Sequence, residues 1–299
     1  MKMLCILNPV AGGGRVTQEV KSLLQSMTRW ADLCIDIALT EKQGDATRFA
    51  IKAAQEGYSI VAAAGGDGTI NEVASGLIGR DATLAILPLG SGNGLARSLG
   101  IPLKYQDACR VLLEGTARKI DVGQVEGRNF FATSGVGFDA HVGKLFNETP
   151  GHSRGIRPYV QIAVSEFFNY TPDNVILRCN GKTYCYTPLV LTVANTEQYG
   201  GGAIIAPGAQ PDDGLFDVVV IPQTDPLTLV TQIPKLFFGE MHTFPNSKTH
   251  RTASLTITRN FPGPAHVDGE SFMAGEVLQY TLLHQALKVL VPPKSAKPS

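Results

Sequence analysis

No run of about 18 or more apolar residues occurs in this 299-residue chain, so no segment reads as a membrane-crossing helix. The apolar stretch in Met1–Asn8 is too short for a secretory signal peptide and reads as a first strand. Cysteine is scarce and unpaired: five residues, an odd number, without the spacing of a metal site. That usage fits reduced thiols in a cytoplasm. Cys179 and Cys185 flank an Asn180-Gly181 turn and are expected as solvent-facing thiols of a hairpin. Net charge is also missing, with 26 basic against 26 acidic residues, which argues against nucleic acid as a partner. No low-complexity segment points to disorder, and the loop at Asn8–Arg15 lacks the Gly-Lys-Ser/Thr ending of a P-loop.

Glycine, at 32 residues, is plentiful and clusters in loops. The most telling cluster is Gly65-Gly66-Asp67-Gly68-Thr69-Ile70-Asn71-Glu72. Ser59 to Ala64 before it reads as a buried strand, and Ile70, Val73, Ala74 and Leu77 after it repeat at helical spacing. Glycines at a strand-to-helix turn let the backbone approach a ligand. A helix start offers free N–H groups and the positive end of a dipole, a setting for phosphate. Asp67 inside an anion site repels unless a cation intervenes, which suggests a nucleotide with Mg²⁺. Two further loops, Asn8-Pro9 with Gly12 to Gly14 and Gly90-Ser91-Gly92-Asn93-Gly94, also follow strands and open helices. Ser91 is expected either to donate to a phosphate or to cap its helix.

The order of elements sets the fold class. Strands at Met3–Leu7, Leu33–Leu39, Ser59–Ala64 and Thr83–Leu87 alternate with helices at 16–27, 46–54, with Asp45 as N-cap, 70–77 and 106–114. This alternation predicts an α/β domain with a parallel sheet covered by helices. From about residue 121 the pattern becomes strands separated by turns rich in Gly, Asn, Asp and Pro. These strands are expected at 130–134, 174–179, 182–194, 215–221, 254–258 and 277–283. Helices are expected at 159–169 and 226–238, with Pro234 kinking or breaking the second. The first of these is read as a core helix, or else as the wall of a lipid cleft. The second half is therefore mostly antiparallel β, a sandwich or partial barrel. Its Asp268-Gly269-Glu270 and Asp212-Asp213-Gly214 read as ordinary turns or as carboxylates placed for proton or metal chemistry. The scattered histidines have no ligand spacing.

Taken in order, eight elements resemble the diacylglycerol kinase catalytic family in its bacterial lipid kinase branch. They are Asn8-Pro9, Gly65–Val73, Pro88–Asn93, Asp121-Val122-Gly123, Gly135–Ala140, Gly201-Gly202 with Pro207, Asp212–Val218 and Asp268-Gly269-Glu270. The resemblance spans essentially the whole chain. It implies a nucleotide-binding α/β catalytic domain at 1–122 that is NAD-kinase- and diacylglycerol-kinase-like. It also implies a β-sandwich lipid-substrate domain at 123–286 and a tail at 287–299 returning to the first domain, with ATP between the domains.

The activity so implied is ATP- and Mg²⁺-dependent phosphorylation of a lipid hydroxyl, on diacylglycerol, a sphingoid base or a related lipid. Asn8, Thr40, Gly65, Gly66, Asp67, Gly68, Thr69, Ile70, Asn71, Ser91, Gly92 and Asn93 would contact the nucleotide, with Arg15 near a phosphate. Asp67 would serve Mg²⁺ with help from Asp121 and Glu270, and Asp268 would be the general base, with Glu270 the other candidate. Gln210, Asp213 and Leu215 would hold a separate structural Mg²⁺. The resemblance also implies peripheral, transient membrane contact from a cytoplasmic location. Oligomeric state, a homodimer included, stays open. A kinase of a soluble substrate such as NAD, and a non-catalytic nucleotide- or lipid-binding module, are the competing readings.

Overall fold

The computed structural model describes residues 2–13, 15–30, 34–148 and 156–293. The chain divides into two compact units, residues 1–120 with 285–299, and residues 121–284.

Unit 1 alternates strand and helix: β1 (Lys2–Leu7), α1 (Arg15–Trp30), β2 (Cys34–Leu39), α2 (Asp45–Gln55), β3 (Ile60–Gly65), α3 (Asp67–Leu77), β4 (Thr83–Pro88), α4 (Gly94–Ser98) and α5 (Tyr105–Glu114). The strands lie in the order β2-β1-β3-β4, all parallel. Every residue of β3 is buried, as both faces of a helix-covered parallel strand must be. Its Ala62, Ala63 and Ala64 are small enough to pass beneath both layers. Helices α2 and α3 approach so closely that a Cβ on Gly76 would fall 2.8 Å from the Ala50 Cβ. Toward the C-terminus, Val289 pairs in parallel with Leu84, and Lys288 reaches Asp81 at 3.0 Å.

Asp45 is not the N-cap expected. It is the first helical residue, and Gly44, at φ 87°, occupies the cap. The Asp45 carboxylate turns back onto the N–H groups of Glu41 and Lys42 and onto Arg48. The helix start is served instead by Glu72 of α3, which accepts from Gly44 N–H at 2.9 Å and Ala46 N–H at 3.1 Å.

The strand β5 (Thr116–Val125) runs through the boundary at 120/121. After it come β6 (Arg128–Phe130), β7 (Thr133–Gly137), α6 (Phe138–Glu148), α7 (Ile156–Phe167), β8 (Val175–Cys179), β9 (Lys182–Tyr186), β10 (Pro188–Ala194), β11 (Gln198–Gly200), β12 (Ala203–Ile204) and β13 (Phe216–Pro222). The chain continues with α8 (Pro226–Gln232), α9 (Lys235–Phe238), β14 (Lys248–Thr252), β15 (Ser254–Arg259), β16 (Gly263–Val267), β17 (Glu270–Ala274) and β18 (Val277–Val291). One antiparallel sheet of unit 2 runs β14-β13-β10-β7-β16-β17, and β18, β15, β8 and β9 pair antiparallel in another. Phe130, Phe216, Tyr280, Leu177, Leu191 and Ile257 are central to its core, with Phe130 stacked on Phe216 at 5.5 Å. Gly123 is required beneath that ring, since a Cβ there would fall 2.1 Å from it.

Several sequence expectations change here. The single strand expected at 182–194 is two, broken at Thr187, because Pro188 has no N–H to continue a ladder. The strand expected at 130–134 is likewise split, leaving the N–H groups of residues 131–132 outside any strand. Helix α6 was missed, although Phe138, Val142 and Leu145 carry its spacing. Pro234 ends the helical run, so 226–238 is two short helices. The Tyr159, Ile162, Ala163 and Phe167 side chains pack on Phe138, Val142 and Leu189, the core reading of that stretch. Of the two hairpin thiols, Cys185 is exposed but Cys179 is buried, because its position on β8 faces the core.

Candidate active site

The expected nucleotide residues of unit 1 gather at the carboxyl ends of its strands, where parallel sheets bind ligands. Asn8 follows β1, Thr40 follows β2, Gly66 follows β3 and Leu89 follows β4. Backbone bonds stitch these ends together: Thr40 N–H to Leu7 O at 3.1 Å, Asn8 N–H to Ala64 O at 3.0 Å, and Leu89 N–H to Gly65 O at 2.8 Å. Asn8 Nδ2 donates to Thr69 Oγ1 at 3.2 Å, tying the first loop to the second. A Cβ on Gly65 would fall 2.5 Å from the Thr69 side chain, and one on Gly90 would fall 2.7 Å from Gly66 Cα. The glycines are thus fixed by contacts within and between the loops themselves. Gly14 and the Arg15 side chain lie outside the described residues.

Asp67 takes a different setting from the one its charge suggested. Its Oδ2 accepts from Asn93 N–H and its Oδ1 from Gly94 N–H, each at 2.9 Å. The carboxylate therefore occupies the donors at the start of α4 that a phosphate was expected to take, and they offset part of its charge. Burial raises the Asp67 pKa, against the lowering effect of these N–H groups and of Arg97. Asn93 is itself a loop brace at φ 52°, accepting from Gly90 N–H and donating to Gly90 O at 2.7 Å. A Cβ on Gly92 would meet Asp67 Oδ2 at 2.7 Å. Ser91 does not cap the helix: Asn93 holds the cap position, and Ser91 stays exposed.

At the start of α3, the helix leaves the N–H groups of Asp67, Gly68 and Thr69 without a helical acceptor. Ile70 differs, since its N–H bonds Gly66 O at 3.0 Å and its side chain is buried. Asn71 lies half-buried one residue on.

In unit 2, Asp268-Gly269 forms the two-residue turn between β16 and β17, with φ of 47° and 84°. Positive φ at both positions is the hairpin turn that Asp-Gly favours. The ordinary-turn reading holds for the backbone, yet the side chain does more. The Asp268 carboxylate accepts from Phe131 N–H at 2.9 Å, Ala132 N–H at 2.8 Å and Thr133 N–H at 3.1 Å. These donors are available because the chain leaves its strand at 131–132. Glu270 begins β17 and is exposed.

Asp121 is wholly buried. Its Oδ2 accepts from Gly214 N–H at 2.7 Å, and its Oδ1 lies 2.8 Å from His284 Nδ1. It thereby anchors the Asp212-Asp213-Gly214 turn. In that turn Asp213 Oδ1 accepts from Leu215 N–H at 3.0 Å, and its other oxygen is held by Arg251. Arg251 also reaches Asp217 at 3.5 Å, and burial raises the Asp217 pKa against the pull of that guanidinium. Gln210 is exposed and donates to Gly208 O at 3.3 Å. Magnesium demands near-octahedral oxygen ligands at about 2.0–2.1 Å. Asp213, already held by the arginine, beside the neutral amide of Gln210, does not offer that set. Among the described residues, no group of three or more His, Cys, Asp or Glu is arranged to hold a metal.

One buried cluster lay unread in the sequence. Asp139 Oδ2 accepts from Tyr199 OH at 2.9 Å and lies 3.2 Å from His266 Nε2. Burial and the Asp139 charge push the Tyr199 pKa well above its ordinary value. The only hint was Asp139 within Gly135–Ala140, since its partners come from 60 and 127 residues away.

The comparisons with known proteins agree with this architecture. The diacylglycerol kinase catalytic domain matches residues 2–125, and the YegS C-terminal NAD kinase β-sandwich-like domain matches residues 132–291. A "Probable lipid kinase YegS-like" protein of Pseudomonas fluorescens is 31% identical, covering 98% of this chain and 96% of its own. A protein with the same description from Pseudomonas aeruginosa is 32% identical, covering 97% and 94%. A crystal structure from Bacillus anthracis shares the fold at a TM-score of 0.82 and 24% identity, covering 99% of this chain and 96% of that one. With both of its domains matched in order and relatives aligned over nearly its full length, this chain belongs to the diacylglycerol kinase catalytic domain family.

Proposed function

We propose that this protein is an ATP- and Mg²⁺-dependent lipid kinase that transfers the γ-phosphate to a lipid hydroxyl. The observation that carries this reading is the set of mutually braced glycine loops at the strand ends of unit 1. They belong to a chain whose full-length relatives are described as lipid kinases. Phosphoryl transfer needs alignment and charge neutralisation more than covalent chemistry. The N–H groups of Gly68 and Thr69 and the exposed Ser91 hydroxyl would bind and orient the phosphates, with Thr40 and Asn71 beside them. Each Asp67 oxygen spends one acceptor direction on an N–H group and keeps others, so Asp67 fits a water-mediated link to Mg²⁺. Bound there, Mg²⁺ would neutralise phosphate charge.

At the acceptor end, about three of the roughly four acceptor directions of the Asp268 carboxylate go to backbone N–H groups. Exposed Glu270, one residue past that braced turn, is therefore read as the base that takes the lipid proton, and Asp268 as the group that positions it. Asp121 would act through the Asp213 turn. Exposed Leu227, Val230, Phe237 and Phe238 on α8 and α9 support transient contact with a bilayer; no described helix is long and apolar enough to cross one.

The test is phosphorylation of mixed lipid vesicles with γ-labelled ATP, followed by organic extraction. Label in the organic phase is the expected result. Label confined to the aqueous phase with NAD as acceptor would make this a kinase of a soluble substrate, and no turnover with any acceptor would make it a binding module.

A further inference from the structure

The turn at 211–217 carries a charge cluster whose ion pairs the proposed reaction does not use. Asp213 and Asp217 lie two residues on either side of Leu215, Asp213 in the turn and Asp217 in β13. Arg251, on the neighbouring β14, stands directly opposite Asp217 in the antiparallel register. One guanidinium therefore serves both carboxylates, with Nη2 on Asp213 Oδ2 and Nε at 3.5 Å from Asp217 Oδ1. The fork of an arginine suits this double duty. The rest of the turn is closed by hydrogen bonds within the chain: Leu215 N–H to Asp213 Oδ1, Gly214 N–H to Asp121 Oδ2, and Asp121 N–H to Pro211 O. Gln210, the side chain that precedes the turn, is neutral and exposed.

We infer that Arg251 is the resident cation of this turn, a built-in guanidinium in the place where the sequence resemblance puts a structural magnesium ion. A divalent ion entering at Asp213 would have to displace the Arg251 guanidinium from its pairs with Asp213 and Asp217, and neither Gln210 nor the Leu215 carbonyl adds charge that favours the exchange. The turn is thereby stable without divalent metal, whatever metal the nucleotide brings to unit 1. This inference stands apart from the kinase reading, because it concerns unit 2 alone and is tested without nucleotide or lipid.

The experiment is thermal melting of the full-length, nucleotide-free protein in excess chelator and in millimolar magnesium chloride. Wild type, Arg251→Met, Arg251→Lys and Asp213→Asn are compared. Wild type is expected to melt at the same temperature in both solutions. Arg251→Met is expected to melt about 1–3 °C lower in chelator and to recover in magnesium, since its two carboxylates are then free to share an ion. Arg251→Lys should lose less. Magnesium stabilisation of wild type that Asp213→Asn abolishes would overturn the inference. So would an Arg251→Met protein that melts like wild type in chelator.

Discussion

Replacing Asp268 tests the joint that sets the geometry of the β16–β17 turn. Its carboxylate accepts three backbone N–H bonds of 2.8–3.1 Å from residues 131–133. A hydrogen bond to a charged group contributes about 1.5–3 kcal/mol when its donor is otherwise stranded. The site is only half-buried, so water re-solvates part of what is lost, and about 1 kcal/mol per bond is the better figure. The backbone adds a second cost, because φ is 47° and alanine tolerates the left-handed region less well than aspartate, by roughly 0.5–1 kcal/mol. Asp268→Ala should therefore lose about 3–4 kcal/mol. Asp268→Asn should lose much less. Ala132 and Thr133 both bond Oδ1, so an amide oxygen keeps two acceptances and only Phe131 N–H faces the new NH₂ group. The expected loss is about 1–2 kcal/mol. Urea unfolding followed by circular dichroism measures both. Equal midpoints for the two variants, both close to wild type, would refute the idea that these bonds hold the turn.

Glu270→Gln should reduce kcat by about 10²–10⁴-fold with an unchanged melting temperature; near-normal turnover would move the base elsewhere. Asp67→Ala should release the start of α4, raise KM for ATP and abolish magnesium-dependent activity in the vesicle assay; retained activity would remove Asp67 from the mechanism. Gly90→Ala should cost about 1–3 kcal/mol in urea titration, because its Cβ would fall 2.7 Å from Gly66 Cα and neither backbone can yield cheaply. Asp45 predicts an acid dependence. N–H bonds from Glu41, then Arg48 and Lys42, hold its pKa at about 2, below the ordinary 3.8. A depressed carboxylate contributes stability that is present above the unfolded pKa and lost as pH falls through the folded one. Asp45→Asn should thus narrow its stability deficit against wild type between pH 3.8 and about 2, read from urea midpoints.

Much of the architecture was legible because local patterns and tertiary demands agree. The alternating strands and helices of residues 2–114 carry strong periodicity, and a strand as apolar as Ile60–Ala64 has few places to go except the middle of a sheet. What was not legible falls where partners are remote. Asp45 looks like a cap, but Glu72, 26 residues from Ala46 in sequence, supplies the capping oxygens. For Asp67, nothing nearby in sequence shows that Asn93 and Gly94 will present their N–H groups to it. Asp213 likewise meets Arg251 from 38 residues away.

The sequence by itself determined the class of the protein: two successive units, the first parallel α/β and the second antiparallel β, with glycine loops at strand ends and carboxylates in turns. Those features follow from periodicity and backbone preference, which act over a few residues. Only the tertiary structure decided what each carboxylate does. Asp67 braces two loops, Asp268 seizes a strand break, Asp121 lies buried under a turn and Asp213 is held by an arginine. A carboxylate's role depends on which donors reach its lone pairs, and in this chain those donors arrive from 26, 135, 93 and 38 residues away.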